Sequence, residues 1–341
     1  MYPHLTDPEA LVVGLIQGVT ELFPMSSLGH NVLIPALVGG SWARDLNVSA
    51  PESPYLAFIV GLHVATAIAM IIYFWRDWCR IIGAFIQSIG HIARPAPGTN
   101  RWQPQTTDQR LAWMIVWATI PVGLAGLLLE HAFRVYLSKP VLTAWFLGLN
   151  GVILFGGEIL RKRRAGLDER QAAEDLRMVT LGGTAAGALP GTTGQRALKE
   201  QDASLAVQAD RRLTSVGWWT AFFLGAVQIL ALCPGISRDG IVMVSGMFRG
   251  LSRQDAARFS FLLSAPVILA AGVLKIGDLT GPLGNGIRGQ VLAGSILSGV
   301  GAYLALRFFV RYLSNSKRTL APFAVYCLVV GIGSAIYLGI S

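Results

Sequence analysis

Leu11-Val-Val-Gly-Leu-Ile-Gln17-Gly-Val-Thr-Glu21-Leu-Phe-Pro24-Met-Ser26-Ser27-Leu-Gly-His30-Asn-Val-Leu-Ile-Pro-Ala-Leu37 is apolar over a length that would cross a membrane, yet it is interrupted in the middle. A span needs roughly 20 consecutive apolar residues, and here Glu21, Pro24, Ser26, Ser27, Gly29 and His30 stand at its centre. A second stretch, Trp218–Met247, is broken in the same way at Pro234, Gly235, Ser237, Arg238, Asp239 and Gly240. Irregular backbone at membrane depth is tolerated only inside protein or against a wet cavity. Each stretch therefore reads as a re-entrant pair of short half-helices.

Working outward, six uninterrupted apolar segments are long enough to span: Pro54–Phe74, Leu111–Leu129, Val141–Leu160, Ala256–Ile276, Gln290–Phe309 and Pro322–Leu338. The composition agrees, with 53% hydrophobic and only 14% charged residues in a chain of 341, where a soluble domain carries about a quarter charged. The net charge of +9 does not point to nucleic acid, because the basic residues sit in loops that flank apolar runs. Arg76, Arg80, Arg94, Arg101 and Arg110 follow the first span, Arg161–Arg164 the third, and Arg311, Lys317 and Arg318 the fifth. The positive-inside rule makes these loops cytoplasmic and puts both termini outside. Cys79, Cys233 and Cys327 have no metal-ligand spacing and read as packing residues.

Two halves emerge. Gly14-Leu-Ile-Gln17 followed by Pro24-Met-Ser26-Ser27 is matched by Gly225-Ala-Val-Gln228 followed by Pro234-Gly-Ile-Ser237. Three spans follow each break, and an odd number inverts the second half. The expected fold is an all-α polytopic membrane protein of two inverted repeats, each a re-entrant helix pair plus three transmembrane helices. Residues 1–160 form the first repeat, 161–214 a flexible cytoplasmic connector of mixed charge, and 215–341 the second. Inverted repeats with broken helices place a site near the midplane, where the breaks meet.

Ionisable groups at that depth are expensive and mark function. Glu21, Ser26, Ser27 and His30 in one break, with Gly235, Ser237, Arg238 and Asp239 in the other, suit phosphoryl transfer. A guanidinium grips phosphate oxygens at two points, and half-helix N-termini and glycine-freed backbone N–H groups bind anions. A serine hydroxyl attacks phosphorus once a base takes its proton. Glu21 and His30 are both candidates for that base, the other protonating the leaving group. Glu21, with Gln17, could equally hold a hard divalent cation, Mg or Ca, that bridges two phosphates; no organic cofactor is called for. His63, alone among apolar neighbours in the first span, reads as a packing or helix–helix contact. Arg249, Arg253 and Arg258 read as a solvated or headgroup-facing cluster.

Gln17-x-x-x-Glu21 with Pro24-Met-Ser26-Ser27-Leu-Gly-His30 resembles the first motif of the undecaprenyl-diphosphatase, or bacitracin-resistance (BacA-type), family. Pro234-Gly-Ile-Ser237-Arg238, with Gly250-Leu-Ser-Arg253 and Ala256-Ala-Arg258-Phe-Ser-Phe-Leu-Leu263, resembles its second. The resemblance implies hydrolysis of undecaprenyl diphosphate to the monophosphate and inorganic phosphate, in a bacterial plasma membrane, at a site open to the outer face. That reaction recycles the lipid carrier of peptidoglycan synthesis and gives bacitracin resistance. Carried over, Glu21, Ser27, His30 and Arg238 form the catalytic set. Ser27 is the nucleophile, Glu21 a base or metal ligand, His30 an acid/base or orienting group, and Arg238 the phosphate clamp. Gln17, Ser26, Gly235, Ser237 and Asp239 contact the substrate. The chain departs from the family at Asp239, where Ser is usual, at Val242, where Thr is usual, and in its long connector. The competing readings are a transporter or flippase of an anionic lipid and a non-catalytic lipid-binding relative.

Overall fold

A computed structural model of the chain describes residues 5–48, 54–94, 98, 100–181, 210–280, 286–315 and 318–340. The described residues contain helices and no strand, as expected where lipid offers no partner for backbone N–H and C=O groups. In chain order these are α1 (Asp7–Leu22), α2 (Ser27–Val38), α3 (Gly40–Asp45), α4 (Pro54–Tyr73), α5 (Trp75–Ala93), α6 (Thr107–Leu137) and α7 (Pro140–Leu181). After a helical turn at 210–215 come α8 (Trp218–Ala226), a 3-10 turn (Val227–Leu232), α9 (Arg238–Phe248), α10 (Arg253–Thr280), α11 (Arg288–Ser314) and α12 (Ala321–Ile340).

Five of these helices can cross a membrane alone: Thr107–Leu129 within α6, Pro140–Arg163 within α7, Arg253–Leu274 within α10, and all of α11 and α12. The sixth expected span is α4, which with α5 forms a pair bent by 86°. α5 itself was read as loop. Ile82, Ile86 and Ile89 line its exposed side at helical spacing, while Asp77 and Arg80 turn to the protein. That is the pattern of a helix lying along the membrane surface. The connector also differs from expectation. α7 continues as helix to Leu181, because residues 161–181 mix Ala, Leu, Glu and Arg without a breaker other than Gly166. The rest of the connector, 182–209, lies outside the described residues.

The halves pack reciprocally. α1 lies mainly on α11, and its counterpart α8 on α6; α7 pairs with α12, and α4 packs on both α11 and α10. Such an exchange of partners is what two repeats about a pseudo-twofold axis produce. The approach of α1 to α11 is close enough that a Cβ on Gly14 would sit 2.5 Å from the Gly294 carbonyl oxygen, the small-residue contact by which helices associate in lipid. On the face of the positive loops, Asp77 and Arg80 of α5, Asp108 of α6, Asp210 and Arg258 of α10 form one ion network. Arg258 lies 2.7 Å from Asp210 and 2.8 Å from Asp77, and Arg80 contacts Asp77, Asp108 and Asp210. Arg258 is thus paired inside the protein, and Arg253 is buried, so those two do not form the solvated cluster expected of them.

Candidate active site

Both breaks are made by proline. The residue before a proline is disfavoured in the α conformation. Accordingly Phe23 is extended at φ −85°, ψ 148° and ends α1, and Cys233 at ψ 115° ends the 3-10 turn. α2 and α9 then start afresh, with Ser26 and Ser237 as N-caps that accept from Gly29 N–H at 3.3 Å and Gly240 N–H at 3.1 Å. Two helix N-termini, each with free N–H groups and the positive end of a dipole, are thereby set at the meeting point of the halves.

Three contacts lock the breaks together. The Ser26 hydroxyl also accepts from Gly235 N–H at 3.1 Å. Asn150 of α7, fully buried, donates to the Pro24 carbonyl at 2.9 Å and accepts from Ser237 N–H at 3.0 Å. Gly235 stands at φ 110°, and a Cβ there would lie 2.5 Å from the Thr143 carbonyl oxygen, so only glycine fits. Ser26 is the one non-glycine with positive φ among the described residues, at 64°. Strain of this kind persists where surrounding bonds over-determine it, and Ser26 makes them on both sides.

Glu21 is the hub. Its Oε1 accepts from the Arg238 guanidinium at 2.6 Å. Its Oε2 accepts from Ser27 Oγ in a short contact and from Gln17 Nε2 at 2.9 Å, and His63 Nε2 stands 3.4 Å away. Gln17 in turn accepts from Asn31 Nδ2 at 2.6 Å. All this lies at membrane depth with Glu21 and Ser27 each 7% exposed. The Arg238 Nε–H is buried and has no protein partner among the described residues.

Of the residues expected here, Gln17, Glu21, Ser27 and Arg238 converge on one carboxylate, with Ser26, Gly235 and Ser237 shaping the backbone around it. His30 does not join them. Its Nδ1 donates to the Ser26 carbonyl at 2.8 Å, which leaves Nε2 to accept from the Tyr326 hydroxyl at 2.7 Å. Asp239 also turns elsewhere: Ser260 and Ser264, one turn apart on α10, donate to its Oδ1 at 2.6 and 2.7 Å. His63 belongs to the cluster although its sequence suggested packing, and Asn150 was not singled out at all. A signal for Asn150 existed, as a lone amide in the apolar run Val141–Leu160.

One carboxylate held by a serine, a guanidinium and an imidazole, at the junction of two broken helices, defines a class: a polytopic membrane protein with an anion-handling hydrolytic site at its centre. The comparisons with known proteins agree. The family model described as "Bacitracin resistance protein BacA" matches residues 10–333. The chain is 54% identical over 340 residues, the full length of both chains, to a protein of Mycolicibacterium paratuberculosis named undecaprenyl-diphosphatase. It is 48% identical to undecaprenyl-diphosphatase 2 of Frankia alni, over 96% of each chain. It is 36% identical to undecaprenyl-diphosphatase 2 of Chromobacterium violaceum, over 95% of this chain and 96% of that one. The chain belongs to the BacA bacitracin resistance protein family.

Proposed function

We propose that the protein hydrolyses undecaprenyl diphosphate to the monophosphate and inorganic phosphate in the plasma membrane, returning the carrier lipid to peptidoglycan synthesis and conferring bacitracin resistance. The observation that carries this reading is the Ser27–Glu21–Arg238 constellation at the junction of α2 and α9. The names of the relatives supply the substrate. The site opens outward in this reading, as the resemblance to the family implies, with the positive loops cytoplasmic.

In this mechanism the terminal phosphate enters between the two helix N-termini. The Arg238 Nε–H and the first-turn N–H groups take its oxygens, and the guanidinium loosens from Glu21. Glu21 Oε2 removes the Ser27 proton as Oγ attacks phosphorus. The bridging P–O bond breaks and undecaprenyl monophosphate leaves. Water then attacks the phosphoserine, Glu21 takes the water's proton and hands a proton to Ser27 Oγ as the Oγ–P bond breaks, and inorganic phosphate is released. His63 donates Nδ1–H to the Ile59 carbonyl at 2.9 Å, which turns its Nε2 toward Glu21 at 3.4 Å and makes His63 the neighbour that can take over the proton Glu21 has removed. His30 acts as a positioning residue, bracing the strained Ser26 carbonyl against Tyr326.

The residues fit a resident cation poorly. Among the described residues no three His, Cys, Asp or Glu side chains cluster as metal ligands, and Gln17 turns its amide nitrogen, not its oxygen, to Glu21. Were a Mg or Ca ion bound, Glu21 would be the residue to hold it, and the ion would offset phosphate charge.

The transporter reading needs no hydroxyl activated by a carboxylate. Purified protein given undecaprenyl diphosphate should release phosphate, and chelator should lower the rate. Calorimetry with Mg or Ca and no substrate should show no binding. Substrate binding without phosphate release would favour the flippase or the non-catalytic relative.

A further inference from the structure

Away from the site, the cytoplasmic end of α11 carries a cavity of about 530 Å³ lined by Leu304, Arg307, Phe308, Arg311, Tyr312, Asn315 and Arg318. This face is the one to which the positive loops belong. The loop between α11 and α12 meets α7 there, where Leu320 N–H donates to Glu158 at 3.4 Å beside the Glu158–Arg161 pair.

Leu304, Arg307, Phe308 and Arg311 follow the i, i+3, i+4, i+7 spacing of one helical face. Leu304 is 59% and Phe308 57% exposed, so this face looks into lipid. Arg307 stands seven residues before the end of α11, about 10 Å along the helix, directly beside the exposed Phe308. Arg318 folds back from the loop over the Tyr312 ring at 5.3 Å. Tyr312 is itself fixed by its hydroxyl, which donates to the Thr319 carbonyl at 2.8 Å, and by Phe323 at 5.7 Å. Among the described residues the lining holds three guanidiniums and no carboxylate. Three cations around one concavity repel one another, most strongly where the dielectric is low. An anion with an apolar tail relieves that repulsion and covers Leu304 and Phe308 at once.

We propose that this cavity binds the phosphate headgroup of an anionic phospholipid of the cytoplasmic leaflet. Arg307, Arg311 and Arg318 take the phosphate oxygens, and the acyl chains run along Leu304 and Phe308. The site is separate from Glu21, and its occupancy does not depend on turnover.

Native mass spectrometry of the full-length protein in detergent, with added phosphatidylglycerol or phosphatidylcholine, tests it. Phosphatidylglycerol should be retained preferentially. Arg307→Gln with Arg311→Gln should weaken retention by about tenfold or more, since each hydrogen bond to a charged group is worth about that factor. Arg318→Gln, a loop change that leaves the span intact, should weaken it by a similar factor on its own. Arg76→Gln, on the same face but outside the cavity, should match the unaltered protein. Equal retention of the two lipids, retention unchanged in the Arg318 variant, or an equal loss in Arg76→Gln would overturn the proposal. So would displacement of the lipid by inorganic phosphate at the same concentration, which would make this a free-phosphate site.

Discussion

The two helix breaks begin from nearly the same sequence and end with different jobs. Each has a glutamine, then a proline, then a serine three residues after the proline: Gln17, Pro24 and Ser27 against Gln228, Pro234 and Ser237. In the first break, four residues past the glutamine stands Glu21; in the second, the same count reaches Leu232. One residue past the serine, the first break has Leu28 and the second Arg238. The carboxylate is found only in one half and the guanidinium only in the other, and they meet at 2.6 Å. The caps stay alike, Ser26 accepting from Gly29 N–H and Ser237 from Gly240 N–H, but the residue after the cap differs: Ser27 donates to Glu21 Oε2 in one half and Arg238 to Glu21 Oε1 in the other. Each break supplies one helix N-terminus, and in the mechanism proposed above the first is the reacting side and the second the gripping side.

The largest effect should fall on the two serines, and should be unequal. Ser27→Ala removes the nucleophile, and turnover should fall on the order of 10⁴-fold or more while lipid binding persists. Ser237→Ala removes an N-cap and should cost about 1 kcal/mol of stability, with turnover changed far less. Single-turnover phosphate release separates them. A loss at Ser27 of only about 10²–10³-fold, the worth of one transition-state donor, together with a larger loss at His63 or His30, would replace the serine by an activated water.

Next comes the gripping half. Arg238→Lys keeps the charge but loses the planar two-point contact, and kcat should fall by about a hundredfold, the scale of one lost electrostatic stabiliser. Near-normal turnover would mean that Arg238 serves only to pair Glu21, and the division of labour between the breaks would fail.

Asn150 ties the two halves and should matter less than either. Asn150→Leu strands the Pro24 carbonyl and the Ser237 N–H. Stability should drop by about 1–3 kcal/mol for each buried group left unpaired. Turnover should fall by about tenfold, below the hundredfold of a full ångström of displacement. Thermal unfolding and kcat measured on the same preparation check both numbers. A stability loss with unchanged kcat would mean that the breaks hold register without it.

How much of this could be read beforehand follows the range of each interaction. The breaks, the spans and most of the Glu21 cluster were legible because proline, glycine and charge inside an apolar run act locally. α5 was not, since its arginines and Asp77 look like a loop until Ile82, Ile86 and Ile89 are seen to share one side. His63 and Asn150 were missed because their meaning lies in partners far along the chain, Glu21 for the first and Pro24 and Ser237 for the second. His30 stands three residues after Ser27 in sequence, and the turn of α2 sets its ring against Tyr326 and the Ser26 carbonyl, an arrangement that suits the orienting role of the two expected of it. Asp239, placed by the resemblance among the substrate contacts, accepts instead from Ser260 and Ser264 on α10, partners too far along the chain to be read from its own motif.

The smallest effect should come from the glutamine that the second half kept. Gln17 donates to Glu21 and accepts from Asn31, so its amide is used at both ends. Gln228 is just as buried, but neither its nitrogen nor its oxygen has a protein partner. A buried amide without partners costs free energy relative to an apolar residue of similar volume. Gln228→Leu should therefore leave turnover within about twofold and change stability by less than about 1 kcal/mol, or raise it slightly. Gln17→Leu should lower both, since it takes one donor from Glu21 and strands the Asn31 amide. Melting temperature and kcat for the two variants, side by side, make the comparison. If Gln228→Leu proves as damaging as Gln17→Leu, the second break has a polar ligand of its own, and the two halves share the chemistry more evenly than their side chains suggest.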